Sequence, residues 1–287
     1  MFVSVNGTKL FVDVEGAGWV PDGSTLRQKP TLLLLHGGPG FDHSMFKPMF
    51  AELSDVAQIV YFDHRGNGRS ACDDRKSWTL AQWGDDVKGL CDALGIVKPI
   101  VYGLSFGGFV AQSYATRHPD HPAGLILAST SPRMDLPPIL EAFEKIGGKE
   151  ARRIAADYWT NPTPESRAVY LEKCHPLYNT KFKPDQERNQ RAVINTAMSV
   201  HFAGSGGEFS RMDFRADLAK IRCPTLVTCG TKDPITPVAF SKTIAACLDP
   251  DLVTLEIYRD CGHGVHLDAP KKAFRALRKF IRKASKR

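Results

Sequence analysis

The stretch Pro99-Ile100-Val101-Tyr102-Gly103-Leu104-Ser105-Phe106-Gly107-Gly108-Phe109-Val110 decides the fold. It begins as a short apolar run of strand character and passes through Gly-x-Ser-x-Gly. It continues into helix-compatible sequence from Gly108 to Arg117. A strand feeding a sharp turn, with Ser at the apex and a helix behind, is the sequence form of a nucleophile elbow. Glycine at 103 and 107 removes Cβ atoms where strand and helix crowd each other. Ser105 would then present its hydroxyl beside the free N–H groups of a helix start, which favour developing negative charge. Taken alone, the same pattern also describes a Gly-rich turn whose Ser only caps a helix. The rest of the chain separates the two.

Upstream, residues 2–15 alternate apolar and polar around Asn6-Gly7, which predicts a tight β-hairpin. Gly16 to Lys29 reads as turn-rich and polar. Thr31 to Leu35 and Gln58 to Phe62 are continuous apolar runs, the mark of strands buried on both faces. A helix is expected between them, from about His43 to Leu53. Thr79 to Leu94 carries Leu80, Trp83, Val87, Leu90 and Leu94 at helical spacing, with Thr79 as N-cap and Gly95 as stop. After the elbow comes another buried strand, Gly124 to Ala128. Strand and helix in alternation imply right-handed crossovers and a parallel sheet covered on both faces.

The rhythm breaks at Ser131-Pro132 and resumes at Pro224 to Thr228. Between them, helices are predicted over Pro137–Ile146, Lys149–Trp159, Glu165–Lys173 and Asp185–Val200. A helical block inserted there reads as a cap over the sheet's C-terminal edge, where such folds bind ligands. The expected organisation is an α/β core over 1–130 and 214–287 with a helical cap over 131–213. The fold class is α/β, a mostly parallel central sheet flanked by helices. A helix near Val238 to Leu248, a strand over Val253–Tyr258 and a basic C-terminal helix complete it.

The 287 residues can bury a sizeable core, and 43% hydrophobic with 24% charged is the balance of a globular protein. No run reaches the roughly 18 apolar residues of a membrane span, and Met1 to Val5 lacks the basic and apolar regions of an export signal. Seven cysteines without a C-x-x-C pair argue against a disulfide framework or zinc site and fit a reducing cytoplasm. The net charge of +7 concentrates in Lys271 to Arg287, where Phe274, Leu277, Phe280 and Ile281 recur at helical spacing. That pattern predicts a helix packed by its apolar face with its basic face in solvent. No nucleic-acid-binding pattern accompanies it, so neither nucleic acid nor membrane is an expected partner. The expected partner is a small-molecule or short-peptide substrate; oligomeric state is not legible.

A serine nucleophile needs a base, and the base an orienting acid, in the chain order Ser, Asp or Glu, His. Asp233 follows the strand at Thr225–Thr228, and His263 follows the last strand within Cys261-Gly262-His263-Gly264-Val265-His266. Three loops leaving parallel strands at one end bring Ser105, Asp233 and His263 together. His263 is preferred over His266 as the base, which makes His266 a pocket residue. Asp260 and Asp268 are further acids near the site, and Asp63 is expected to brace the turn at Gly66–Ser70. The oxyanion donors expected are the N–H of Phe106 and that of Gly38, with Gly37 next, because Pro39 has no N–H.

As a set, His36-Gly37-Gly38-Pro39-Gly40, Asp63-His64-Arg65-Gly66-Asn67-Gly68-Arg69-Ser70, Gly103 to Gly107, Asp233 and His263 resemble the α/β-hydrolase superfamily. They look most like its proline-iminopeptidase branch, which includes the tricorn-interacting aminopeptidases. The resemblance implies a Ser-Asp-His hydrolase with a helical cap and no metal or organic cofactor. Aminopeptidases of that branch hold the substrate's α-amine with carboxylates, and Glu208 in Gly207-Glu208-Phe209 matches one such position. Some members also carry Glu directly after the catalytic Asp, where this chain has Pro234. That departure leaves a carboxylic ester or lactone substrate beside an N-terminal residue of a short peptide or amide. A reading of another class is a ligand receptor on the same fold, whose usual sign is a missing triad member.

Overall fold

Strands β1 (Phe2–Val5), β2 (Thr8–Glu15), β5 (Thr31–Leu35), β6 (Gln58–Phe62), β7 (Ile100–Leu104), β8 (Gly124–Ala128), β9 (Thr225–Gly230) and β10 (Val253–Tyr258) form the main sheet. Their spatial order is β1-β2-β6-β5-β7-β8-β9-β10. β1 and β2 run antiparallel; the neighbours from β6 to β10 are parallel. The structure, a computed structural model, describes residues 1–72, 74–181 and 190–286. The first hairpin turns at Asn6 (φ 46°) and Gly7 (φ 77°), and two positive central residues are what a tight twisted hairpin requires.

The apolar runs explain the layers. In β5, Leu32 and Leu34 face one side and Leu33 and Leu35 the other, and all four are fully buried. Helices α1 (Leu80–Ala93) and α2 (Phe106–Arg117) cover the face of Leu33, Val101 and Leu127. The opposite face, with Ile59, Tyr102 and Ile126, is covered by two short 3-10 segments and by the last helix. These segments, His43–Phe46 and Met49–Asp55, stand where one helix over His43–Leu53 was expected. Pro48 lies between them and lacks the N–H that a continuous helix would use. Gly16–Lys29 also differs from expectation. It holds a separate hairpin of β3 (Trp19–Asp22) and β4 (Thr25–Gln28). Both strands are largely exposed, so no buried period marked them in the sequence.

The helical block comprises α3 (Leu136–Thr160), α4 (Pro164–Lys173), α5 (Thr196–Ala203) and α6 (Glu208–Arg211). α3 contains both helices expected at its position, joined at Gly148, which takes φ 77°. Residues 182–189, the start of the helix expected over 185–200, lie outside the described residues. α5 begins later, with the Asn195 side chain accepting from the Met198 N–H. At the neck of the block the backbones of Arg133 and Asp213 form an isolated antiparallel bridge, and the Phe214 N–H donates to the Pro132 carbonyl at 2.8 Å. Ile139, Phe143, Tyr158 and Tyr170 form its core together with Ile235 and Phe240 of the β9 side, so the cap sits on the sheet's C-terminal edge.

α7 (Val238–Cys247), α8 (Val265–Asp268) and α9 (Pro270–Ala284) follow. α9 buries Phe274, Leu277, Phe280 and Ile281 against the sheet, and its Arg278 pairs with Glu52 and Asp55 at 2.8 and 3.1 Å. Among the described residues no helix is long and apolar enough to cross a membrane.

Candidate active site

Ser105 sits between β7 and α2 with φ 55° and ψ −117°, a conformation an L-residue holds only when its surroundings enforce it. The enforcement is visible. A Cβ on Gly103 would run into the Gly107 carbonyl, and one on Gly107 into the Leu35 carbonyl. The Ser105 N–H donates to the Ala128 carbonyl at 3.0 Å, and the Thr130 hydroxyl donates to the Ser105 carbonyl at 2.8 Å. Phe106 is the first residue of α2, so its N–H precedes the helix's own ladder.

Asp233 and His263 leave the next two strand ends. Asp233 Oδ1 accepts from the N–H groups of Ile235 and Thr236, both at 2.9 Å. Its Oδ2 accepts from the Thr236 hydroxyl at 2.6 Å and faces His263 Nδ1 at 2.8 Å. Asp233 is 3% exposed and His263 8%. His263 is fixed from the cap as well: its N–H donates to the Tyr178 carbonyl at 2.6 Å, and the Gly264 N–H to Asn179 Oδ1 at 2.8 Å. Asp268 completes the clamp, accepting from the N–H groups of Gly262, Thr180 and Lys181 at 2.7, 2.9 and 2.8 Å. Thr236, Tyr178, Asn179 and this role of Asp268 had no signal in the sequence beyond proximity to a motif.

The loop after β5 is held by the loop after β6. The His64 N–H can only donate, so His36 Nε2, at 3.1 Å, accepts and the imidazole proton resides on Nδ1. That Nδ1–H donates to the Gly37 carbonyl at 2.8 Å. In a trans peptide the carbonyl and the following N–H point opposite ways, so pinning Gly37 O turns the Gly38 N–H away from His36. The Gly37 N–H is already directed at Met45 Sδ, 3.1 Å away. Asn67 Oδ1 accepts from the Gly40 N–H at 2.7 Å. Asp63 accepts from the N–H groups of His43 and Arg69 at 2.9 and 2.8 Å, and so spans the turn at Gly66–Ser70. Burial alone would raise the Asp63 carboxyl; the hydrogen bonds it accepts from the His43 ring and the Arg69 N–H outweigh it and hold the group below the usual carboxylate range. Burial pushes His36 and His64 below the ordinary histidine value.

Ser105, His263, Thr236, Gly37 and Gly38 line one cavity of about 110 Å³ under the cap. Its remaining wall is mostly apolar and aromatic, with Phe109, Trp159, Tyr170, Phe202 and Phe209, and it contains Arg167 of α4. A wider groove at the opposite end of the sheet, lined by Pro30, Gln58, Lys98 and Arg222, contains none of these groups. Two expected pocket residues are not brought to the cavity. His266 lies in α8, edge-on to Phe50 with ring centroids 5.3 Å apart, because α8 turns it down toward the sheet core. Glu208 pairs with Arg211 one helical turn along at 2.9 Å, and it is its neighbour Phe209 that reaches the cavity. Asp260 is exposed on the loop before Cys261. Among the described residues no group of three or more His, Cys, Asp or Glu is arranged to hold a metal ion.

The model of the alpha/beta hydrolase fold family matches residues 30–270. A proline iminopeptidase of Pestalotiopsis fici is 30% identical, over 98% of this chain and 99% of its own. One of Lactobacillus helveticus is 26% identical, over 82% and 84%. Among solved structures, a thermophilic esterase of Thermogutta terrifontis superposes with a TM-score of 0.73 at 27% identity, covering 99% of this chain and 98% of that one. Fold, sheet order and sequence agree, and the chain belongs to the α/β-hydrolase family.

Proposed function

We propose that this hydrolase works through a serine acyl-enzyme on a small carbonyl substrate. Ser105 attacks the carbonyl carbon. His263 Nε2 takes the hydroxyl proton and returns it to the leaving group, and water then releases the acyl group by the same route. Asp233 accepts the Nδ1–H of His263, which leaves Nε2 the lone pair a base needs. The N–H groups of Gly38 and Phe106 receive the oxyanion. The observation that carries this is the 2.8 Å Asp233–His263 pair opening into the cavity that Ser105 lines.

For the substrate, the cavity favours a carboxylic ester or lactone. A free α-amine needs carboxylates, and no Asp or Glu lines the cavity among the described residues. Glu208 is engaged by Arg211, and Pro234 follows Asp233. The second substrate class is an N-terminal residue of a short peptide or amide, favoured by the similarity to proline iminopeptidases over nearly the whole chain. A panel of p-nitrophenyl esters, lactones and proline and alanine p-nitroanilides separates them. Ester or lactone turnover unchanged in Glu208→Gln is the expected result. Dominant anilide turnover that collapses in Glu208→Gln would establish the aminopeptidase instead.

A further inference from the structure

Among the described residues, Arg167 is a cation without an anion. It projects from α4, is 4% exposed and lines the same cavity as Ser105. Its Nη2 has no hydrogen-bond partner, its Nη1 reaches the Thr196 hydroxyl at 3.4 Å, and a further polar neighbour with which it interacts is the neutral Tyr158 phenol. It forms no ion pair with a described residue. The groups around it are neutral: the Tyr158 and Tyr178 phenols, both kept protonated by burial, and the Phe41 ring 5.7 Å from the guanidinium carbon. A guanidinium removed from water costs free energy unless an anion meets it, and its planar fork suits a carboxylate. Arginine is scarcely ever buried without such a partner. The other charged groups of α4 give it none, since Glu165 precedes it at the exposed start and Glu172 pairs with Lys173.

We propose that Arg167 binds a carboxylate carried by the substrate, so that the enzyme selects acids esterified at one end and free at the other, or acid-bearing lactones. The unpartnered Nη2 of the fork and the Tyr158 hydroxyl supply the donors. The small cavity places the free carboxylate within a few atoms of the carbonyl that Ser105 attacks. The proposal rests on the serine-hydrolase reading for the reacting end and on Arg167 alone for the anionic end.

The test compares mono-p-nitrophenyl glutarate with its methyl ester, which has nearly the same shape and no charge. In wild-type enzyme, kcat/KM corrected for the uncatalysed rates favours the monoanion by about tenfold or more. Arg167→Gln lowers kcat/KM for the monoanion by about 100-fold, mainly through KM, and leaves the methyl ester within about threefold. Arg167→Lys recovers part of the loss. Wild-type enzyme that cleaves the neutral ester as well as the anion overturns the proposal, whether or not Arg167→Gln folds. If wild type cleaves neither ester, the ester reading fails separately, and calorimetry with Ser105→Ala decides Arg167. Tighter binding of the monoanion than of its methyl ester supports the anionic site, and equal binding refutes it.

Discussion

His263 Nδ1 has two oxygen neighbours, Asp233 Oδ2 at 2.8 Å and Thr236 Oγ1 at 3.3 Å. The Thr236 hydroxyl proton is directed at Asp233, so the carboxylate is the acceptor the imidazole uses. Asp233→Asn keeps the volume but offers an amide where the acceptor stood, and kcat is expected to fall by about 10⁴-fold at nearly constant KM. Thr236→Val removes one of the four donors around Asp233 and is expected to cost about tenfold in kcat/KM, with the thermal midpoint little changed. Steady-state kinetics and a melting curve check both. Ser105, Asp233 and His263 were legible in the sequence because each stands in a short motif at a strand end, where topology alone brings them together. Glu208 was misplaced because a loop motif fixes backbone position and says nothing of the arginine one turn further on. Arg167 had a faint signal, for Arg167, Tyr170, Leu171 and Cys174 share one helical stripe. A long arginine ordinarily reaches water from such a stripe, so periodicity could not show that this one stays inside.

Among the elements, the turn at Ser105 and the ties between α5 and the loop after β5 set the geometry of the candidate site. Gly107 lets α2 approach the Leu35 carbonyl, so Gly107→Ala forces rigid backbone apart. Its expected cost is at least about 3 kcal/mol of unfolding free energy, read from urea denaturation. The cap is tied to the loop after β5 through α5: the Asn195 N–H donates to the Gly40 carbonyl at 2.8 Å and the Ser199 hydroxyl to the Pro39 carbonyl at 2.6 Å. Ser199→Ala leaves a buried carbonyl short of a partner and is expected to cost about 1–2 kcal/mol in the same measurement. The buried strands and amphipathic helices of the core were legible because burial stamps its period on the sequence. The exposed β3–β4 hairpin carries no such period, and the split at Pro48 showed only as a breaker inside an apolar run.

For the whole molecule, the loops at the strand ends are braced by buried neutral histidines, and that sets an acid limit on stability. Burial holds His36 and His64 below the ordinary histidine value, while in the unfolded chain both titrate near 6.5. Below about pH 6.5 the unfolded state therefore binds more protons than the folded state, and stability falls as pH falls. Above it these groups contribute no slope. The urea midpoint is expected to hold steady from about pH 8 to 7 and to drop from about 6.5 to 5, by up to ~1.4 kcal/mol per pH unit for each histidine. His64 is packed among the rings of Phe62, Phe106 and His36, and only its backbone N–H supports His36. His64→Phe should thus flatten the acid limb while keeping the loop after β5 in place.

The serine acyl-enzyme is tested most directly by intact-mass analysis and peptide mapping after exposure to a fluorophosphonate. One adduct is expected, on Ser105, absent in Ser105→Ala and formed at least about 10²-fold more slowly in His263→Ala. An unmodified enzyme, an adduct on another residue, or full esterase activity in Ser105→Ala would contradict it.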